Sequence, residues 1–282
     1  MSLCLFHGDL DGHTSAAIID KRFHIDKFVV ANSYDIDFPF DKISKNEDVY
    51  IVDFSLKNKE VLNKLLSVTK NLVWIDHHIT AIQKFEGYES IEGIRVDTYP
   101  AACLLCWQYC FPSITPPAFV SLVSDFDTWT YKFGDETRNL VTAAQDTENT
   151  HPLNRDFWKL VLNNDSETIK NLKTNGEKLR LVQEKARANF AKNNVFEIDF
   201  EGLKVIACNK RDKGSLLFEN LENIGDYDVM MSFQYCGKSK LWEFSIYSTK
   251  PNVNCSEIAK KYGGGGHPGA AGFSQAKLPF EI

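Results

Sequence analysis

The sequence predicts an α/β protein of two domains: an N-terminal doubly wound, mainly parallel sheet and a smaller C-terminal α/β domain with a mixed sheet. Three observations lead there. Short apolar runs alternate with segments of helical periodicity through the first half. Those runs are continuously apolar rather than alternating, as suits strands buried on both faces of a parallel sheet. Beyond a long charged, helix-favouring stretch the period changes, and strand-like runs follow one another with one helix among them. The 282 residues also exceed what one small core usually serves.

Taken in order, residues 3–7, 28–31, 49–54 and 72–76 read as strands. Residues 14–23 and 58–68 carry apolar side chains at helical spacing between them, with Thr14 and Ser55 as N-terminal caps. Strand, helix, strand repetition implies βαβ units, whose ligand sites lie outside the carboxyl ends of the strands. Cys103, Cys106 and Cys110 stand at i, i+3 and i+7 of an apolar stretch. That is helical spacing, and the thiols read as small hydrophobes on a core-facing helix rather than as zinc ligands. From about residue 142 the pattern is helical. The expected division is a first domain over 1–165, a helical linker over 166–194 and a second domain over 195–282. Within the second, residues 195–200, 203–208, 228–235 and 242–247 read as strands, and 256–262 as a helix running into four glycines.

Charge and cysteine content narrow the function classes. A net charge of −6 argues against wrapping long duplex DNA, a mode that wants a broad basic surface. The local cluster Lys210, Arg211 and Lys213 suits a solvated loop or a short anionic substrate. Seven cysteines, an odd number, with no basic secretory-type leader, point to free thiols and a cytoplasmic address. No apolar stretch approaches the roughly 20 residues that span a bilayer, so no membrane partner is expected.

Ionisable groups recur where the predicted strands stop. His7, Asp9 and Asp11 stand at the end of the first, Asp53 at the end of the third, and Asp76, His77 and His78 at the end of the fourth; Asp125 or Asp127 stands in Ser124-Asp125-Phe126-Asp127-Thr128-Trp129. On an extended segment Asp9 and Asp11 face the same way, and His7 continues their row. Singly, Asp53 or Asp125 suits a helix cap and Asp9-Leu10-Asp11-Gly12 a turn, or the start of a calcium loop whose twelfth position would hold Asp20 instead of glutamate. Jointly, they offer the carboxylates and imidazoles that a pair of divalent ions needs in phosphate-ester hydrolysis, with Asp125 favoured over Asp127 for its place after 119–124. Mixed oxygen and nitrogen donors without thiolate suit Mn²⁺ or Mg²⁺, with Co²⁺ or Zn²⁺ as substitutes. Gly263, Gly264, Gly265 and Gly266 add a backbone able to approach an anion, with His267 as a further donor.

These residues resemble the DHH phosphoesterase superfamily with its C-terminal GGGGH domain, over essentially the whole chain. His7-Gly8-Asp9-Leu10-Asp11-Gly12 is similar to the first motif, Val52-Asp53 to the second, Asp76-His77-His78 to the third and Leu122-Val123-Ser124-Asp125 to the fourth. Gly263 to His267, with Gly269-Ala270-Ala271-Gly272, is similar to the C-terminal signature. The resemblance implies two Mn²⁺ ions. His7 and Asp9 would hold one, Asp11, His77 and Asp125 the other, and Asp53 would bridge them. Asp76 would orient, His78 would contact the scissile phosphate, and cleavage would proceed by in-line attack of a metal-bridging hydroxide. The second domain would close over the metal cleft and bind substrate through its glycines and His267. Where many relatives carry an arginine-serine pair, this chain has Tyr247-Ser248.

Within the superfamily, the length and acidity are similar to oligoribonucleases and nucleotide phosphodiesterases of the NrnB type. The implied substrate is a short oligonucleotide or linear dinucleotide; the alternatives are a cyclic (di)nucleotide or 3′-phosphoadenosine 5′-phosphate, or a non-catalytic nucleotide sensor on the same fold. A homodimer is compatible with the sequence.

Overall fold

The computed structural model describes residues 1–31, 38–78, 85, 87–96, 99–147, 150–211, 214–218 and 221–281. Lys213 of the basic cluster lies outside the described residues. Contacts divide the chain into two units, Met1–Arg180 and Leu181–Ile282.

The first unit opens with β1 (Ser2–His7), α1 (Leu10–Phe23), β2 (Lys27–Ala31), β3 (Glu47–Val52), α2 (Lys59–Val68) and β4 (Thr69–Ile75). The four strands pair in parallel in the order β2-β1-β3-β4. Helices α3 (Ala102–Cys110), α4 (Ala118–Asp127), α5 (Asp135–Asp146) and α6 (Arg155–Leu162) follow, then α7 (Ser166–Asn194), within which the division between the units falls.

Both faces of this sheet are covered, which explains the unbroken apolar runs. Cys4, Phe6, Val52 and Ile75 pack into one core with Ile18 and Ile19 of α1, Leu105 and Cys106 of α3 and Phe119 and Val123 of α4. Their strand neighbours Leu3, Leu5, Ile51 and Trp74 point the other way, onto Leu62 and Leu65 of α2. Since β2 and β3 flank β1 on opposite sides, connections leave in opposite senses there, and a crevice opens beyond the strand ends.

Caps depart from the sequence-based expectation. Helix α1 begins at Leu10, four residues before Thr14, because the Asp9 carboxylate accepts from the Gly12 N–H at 2.9 Å. Asn58 rather than Ser55 caps α2, accepting from the Val61 N–H at 3.0 Å. The run at 119–124 is the body of α4, so no strand ends before Asp125.

The second unit holds β5 (Val195–Phe200), β6 (Leu203–Cys208), β7 (Val229–Cys236), β8 (Leu241–Ser248), α8 (Cys255–Lys261), β9 (Gly265–Gly266) and β10 (Ala270–Gln275). Its sheet runs β5-β6-β7-β8-β10-β9 and is mixed, since β6 and β7 are parallel and the other pairs antiparallel. Phe200, Phe233, Phe244 and Phe273 form its core with Ile258 and Ala259 of α8. The rings of Phe244 and Phe273 stack across β8 and β10, centroids 4.6 Å apart.

All seven cysteines are unpaired by disulfides, and Cys103, Cys106 and Cys110 are buried in α3. No described helix is long and apolar enough to cross a membrane.

Candidate metal centre

At the end of β1 the chain turns immediately into α1, and the turn is tight. A Cβ on Gly12 would fall 2.0 Å from the carbonyl oxygen of His7, so only glycine lets helix and strand end approach so closely. Asp9 sits at the cap, its Oδ1 on the Gly12 N–H and its Oδ2 2.8 Å from His7 Nδ1. Asp11 stands in the first turn of α1 and is buried. Its two oxygens accept from the N–H groups of Ala102 and Cys103 at 3.0 and 2.8 Å, the open amides at the start of α3. The three residues therefore do not form one extended row; the helix that begins at Leu10 carries Asp11 around.

Asp53 follows β3 with φ of +52°, a left-handed backbone uncommon outside glycine. Its N–H donates to the Ile75 carbonyl at 3.0 Å, which ties the strained residue to β4. The carboxylate is buried, and its oxygens part company. Oδ2 lies 3.7 Å from His7 Nδ1 and has no hydrogen-bond partner, whereas Oδ1 lies 3.5 Å from His77 Nε2.

Beyond β4, the fully buried Asp76 accepts from Ser55 Oγ at 2.8 Å, from the His77 N–H at 2.9 Å and from His78 Nδ1 at 2.7 Å. Its capacity is taken up in fixing the two histidines. His77 reaches inward, with Nε2 3.5 Å from Asp53 Oδ1, 3.4 Å from Asp127 Oδ2 and 3.8 Å from Asp11 Oδ2.

The fourth motif is corrected by the structure: Asp127, not Asp125, joins the cluster. Residues two apart on a helix point to nearly opposite sides, so α4 can send only one of them to the crevice. Asp127 shares the helical phase of Val120 and Val123. Asp125 faces the following loop, where it accepts from the Lys132 N–H at 2.7 Å, the Phe133 N–H at 3.3 Å, Thr130 Oγ1 at 2.6 Å and Thr137 Oγ1.

Three sets of ligand atoms result, each within 4.8 Å: His7, Asp9 and Asp53; Asp53, His77 and His78; and Asp11, His77 and Asp127. Asp53 and His77 each belong to two sets, so the sets share members rather than standing apart. The electrostatics follow from the crowding and burial of these groups. Burial, and then the neighbouring charge of Asp53, raises the Asp11 carboxyl; burial and then Asp11 raise Asp127; burial and then Asp9 raise Asp53. Burial opposes charge on His7 and His77, yet their carboxylate neighbours outweigh it and push both imidazoles up to about 11. Burial likewise opposes the charged form of Asp76, but the hydrogen bond from His78 and its charge hold that carboxyl below the usual range. Asp53 Oδ2, buried and without a hydrogen bond, is the atom a cation would satisfy, and the carboxylate-imidazole set fits Mn²⁺ or Mg²⁺.

The glycine run is more structural than its sequence suggests. The N–H groups of Gly263 and Gly264 donate to Lys260 and Ala259 carbonyls at 3.1 and 2.9 Å, and the His267 N–H to Ala270 at 2.7 Å. Those three amides are engaged within the chain and do not cradle an anion. A Cβ on Gly264 would lie 2.1 Å from the Gly272 carbonyl oxygen, while one on Gly265 would meet nothing within 4 Å. Gly265 and Gly266 are exposed, and His267 is half-buried.

Sequence reasoning missed Ser55 as the residue that anchors Asp76 and the Ala102 and Cys103 amides that hold Asp11. The helical phase of 118–127 was the signal that could have selected Asp127.

No family model matches the chain. An uncharacterized protein of Acanthamoeba polyphaga mimivirus is 27% identical over 313 residues, an alignment that takes in 100% of this chain and 70% of that protein. Among solved structures, the DHH domain of a member of the s1p family of ribosomal proteins matches with a TM-score of 0.62 at 13% identity, covering 97% of this chain and 82% of that one. A pGpG-specific phosphodiesterase from Vibrio cholerae matches with a TM-score of 0.55 at 15% identity, covering 98% and 94%. The chain shares its fold with DHH-domain proteins, and its acidic and histidine ligand sets gather at the strand ends of that fold.

Proposed function

We propose that this chain is a divalent-metal-dependent phosphodiesterase that cleaves linear dinucleotides or short oligonucleotides, with two Mn²⁺ ions as cofactor. The observation that carries the reading is the division of the Asp53 carboxylate, one oxygen toward His7 and the other toward His77. That is the disposition of a bridging ligand, and it supports a pair of ions rather than one. His7 and Asp9 would complete one coordination shell, Asp11, His77 and Asp127 the other. When bound, such ions supply an activated water and neutralise charge on the phosphoryl oxygens.

The remaining roles fall to this chain's own groups. Asp76 fixes the His78 ring through Nδ1, and we assign the other ring nitrogen to a phosphoryl oxygen. The amides of Ala102 and Cys103 keep Asp11 in place. The exposed backbone at Gly265 and Gly266, with the His267 side chain, is assigned to the rest of the substrate. The named activity of the Vibrio cholerae structure, on the same fold, supports a nucleotide substrate.

The test is Mn²⁺-dependent hydrolysis of a panel containing a linear dinucleotide, a five-residue oligonucleotide, a cyclic dinucleotide, 3′-phosphoadenosine 5′-phosphate and pyrophosphate. The linear dinucleotide or the oligonucleotide is expected to turn over, and Asp53→Ala to lose at least about 10³-fold in rate with its fold intact. Full activity in that variant would sink the two-metal reading. Binding without turnover across the panel would replace it with a nucleotide sensor.

A further inference from the structure

We infer that the indole of Trp129 is a stacking platform for a nucleobase of the substrate, which makes a base-bearing phosphodiester, rather than a bare phosphate chain, the ligand of this site. The inference rests on the phosphodiesterase reading above and adds the residue that selects the substrate class.

Trp129 lies two residues beyond Asp127, so their Cα atoms are at most about 7.6 Å apart. Its φ is +57°, where a bulky L residue is rarely found. Glycine would make the same turn without strain, so the turn itself does not call for an indole. Core packing does not call for it either, since Trp129 is 43% exposed. The ring is nevertheless held. Phe126 stacks on it with centroids 6.3 Å apart at 27°, and Tyr131 meets it edge-on at 5.7 Å and 90°. The backbone is held as well. The Trp129 N–H donates to Phe126, those of Thr130 and Tyr131 reach the Asp125 carbonyl, and the Asp125 carboxylate binds the Lys132 and Phe133 amides. The Asp125 carboxylate thus clamps the loop that carries Trp129.

A strained, exposed, well-braced aromatic beside a metal-ligand set fits a flat ligand group. Strain of this kind persists where surrounding structure over-determines it, and it clusters at functional sites. Stacking also answers a problem of charge. The chain carries −6, and the crevice carboxylates would offset much of the charge of bound divalent ions, so a contact that is not electrostatic would add to the attraction for an anionic nucleotide. Base-on-aromatic stacking is such a contact and tolerates any base.

The experiment measures, on the full chain with Mn²⁺, calorimetric affinity for two probes: a dinucleotide with a non-hydrolysable methylene-phosphonate linkage, and the same backbone without bases. Wild type is expected to prefer the base-bearing probe. Trp129→Gly should weaken that probe by about 10- to 100-fold and the base-free probe by less than about 2-fold, so that the preference collapses. That variant should remain folded, because glycine relieves the left-handed backbone and so offsets part of the lost ring contacts. Trp129→Phe should keep most of the preference, and Trp129→Leu, apolar but without a π face, should lose it. The platform is overturned if Trp129→Gly and Trp129→Leu keep the preference, or if they weaken both probes equally. Because binding is read without turnover, a wild type that binds with this preference but hydrolyses nothing would refute the phosphodiesterase reading and leave the platform standing.

Discussion

The crevice at the ends of β1, β3 and β4 and the turn from Tyr262 to Pro268 manage polar groups in opposite ways. The crevice crowds Asp11, Asp53 and Asp127 together, and each raises its neighbours' cost of ionisation. The turn is glycine-rich and ties at least three of its amides to carbonyls of the flanking helix and strand. One region gathers carboxylates whose charge a cation could offset; in the other, those three amides are already engaged within the chain. Conformationally unusual residues therefore mean different things in the two places. At Asp53 the left-handed backbone aims a carboxylate into the cluster, whereas at Gly263, φ of +76°, it closes a helix onto a strand.

The sharpest way to break that contrast is to exchange the two aspartates of α4. Asp127→Ala should cut hydrolysis by roughly 10² to 10⁴-fold while the metal-free protein melts no lower than wild type, because a repelled, half-buried charge has gone. Asp125→Ala should do the reverse at the level of the fold, costing about 2–4 kcal/mol in denaturant melts as the Lys132 and Phe133 amides and two threonine hydroxyls lose their acceptor. Equal stability loss in both variants would contradict the assignment of the two carboxylates.

A smaller effect separates neighbouring glycines. Gly264→Ala pushes a methyl into the Gly272 carbonyl and should destabilise the second unit by about 1–3 kcal/mol. Gly265→Ala, with open space around it, should stay within about 1 kcal/mol of wild type. If both were tolerated in thermal melts, the close approach to β10 would be wrong.

The smallest expected effect is a pH response in the second unit. Hydrogen bonds from Lys261 Nζ and Tyr262 Oη, both 2.6 Å, hold the Glu201 carboxyl below its usual range. The folded pKa is thus the lower one, so the contribution to stability is full above the unfolded value near 4.3 and fades as pH falls through the folded value. Paired melts of wild type and Glu201→Gln should differ at pH 7 and converge toward pH 3; a gap that stays constant would remove Glu201 as its source.

Much of this was legible because parallel strands announce themselves. The runs around Leu5, Ile51 and Trp74 are apolar on both faces, and an acid or histidine directly after such a run stands at a crevice whatever its detailed geometry. Legibility failed where a side chain's direction depends on helical phase, as with Asp125 and Asp127, or where a helix begins earlier than its apolar pattern, as at Asp9. It failed also for β9 and β10, whose glycines and alanines give no strand signal. The amides of Ala102 and Cys103 were invisible for a simpler reason: every residue carries an N–H, and only the fold says which two are aimed at a carboxylate 91 and 92 positions away.

That last contact ties cofactor chemistry to solvent accessibility. The Ala102 and Cys103 protons are bonded to Asp11 and exchange with water when those bonds open. A cation that draws Asp11 inward and immobilises it would slow that opening, while a protonated Asp11 would grip the amides less firmly. Amide hydrogen exchange at the start of α3 would then report, from within the backbone and with no substrate present, how often the metal centre is filled.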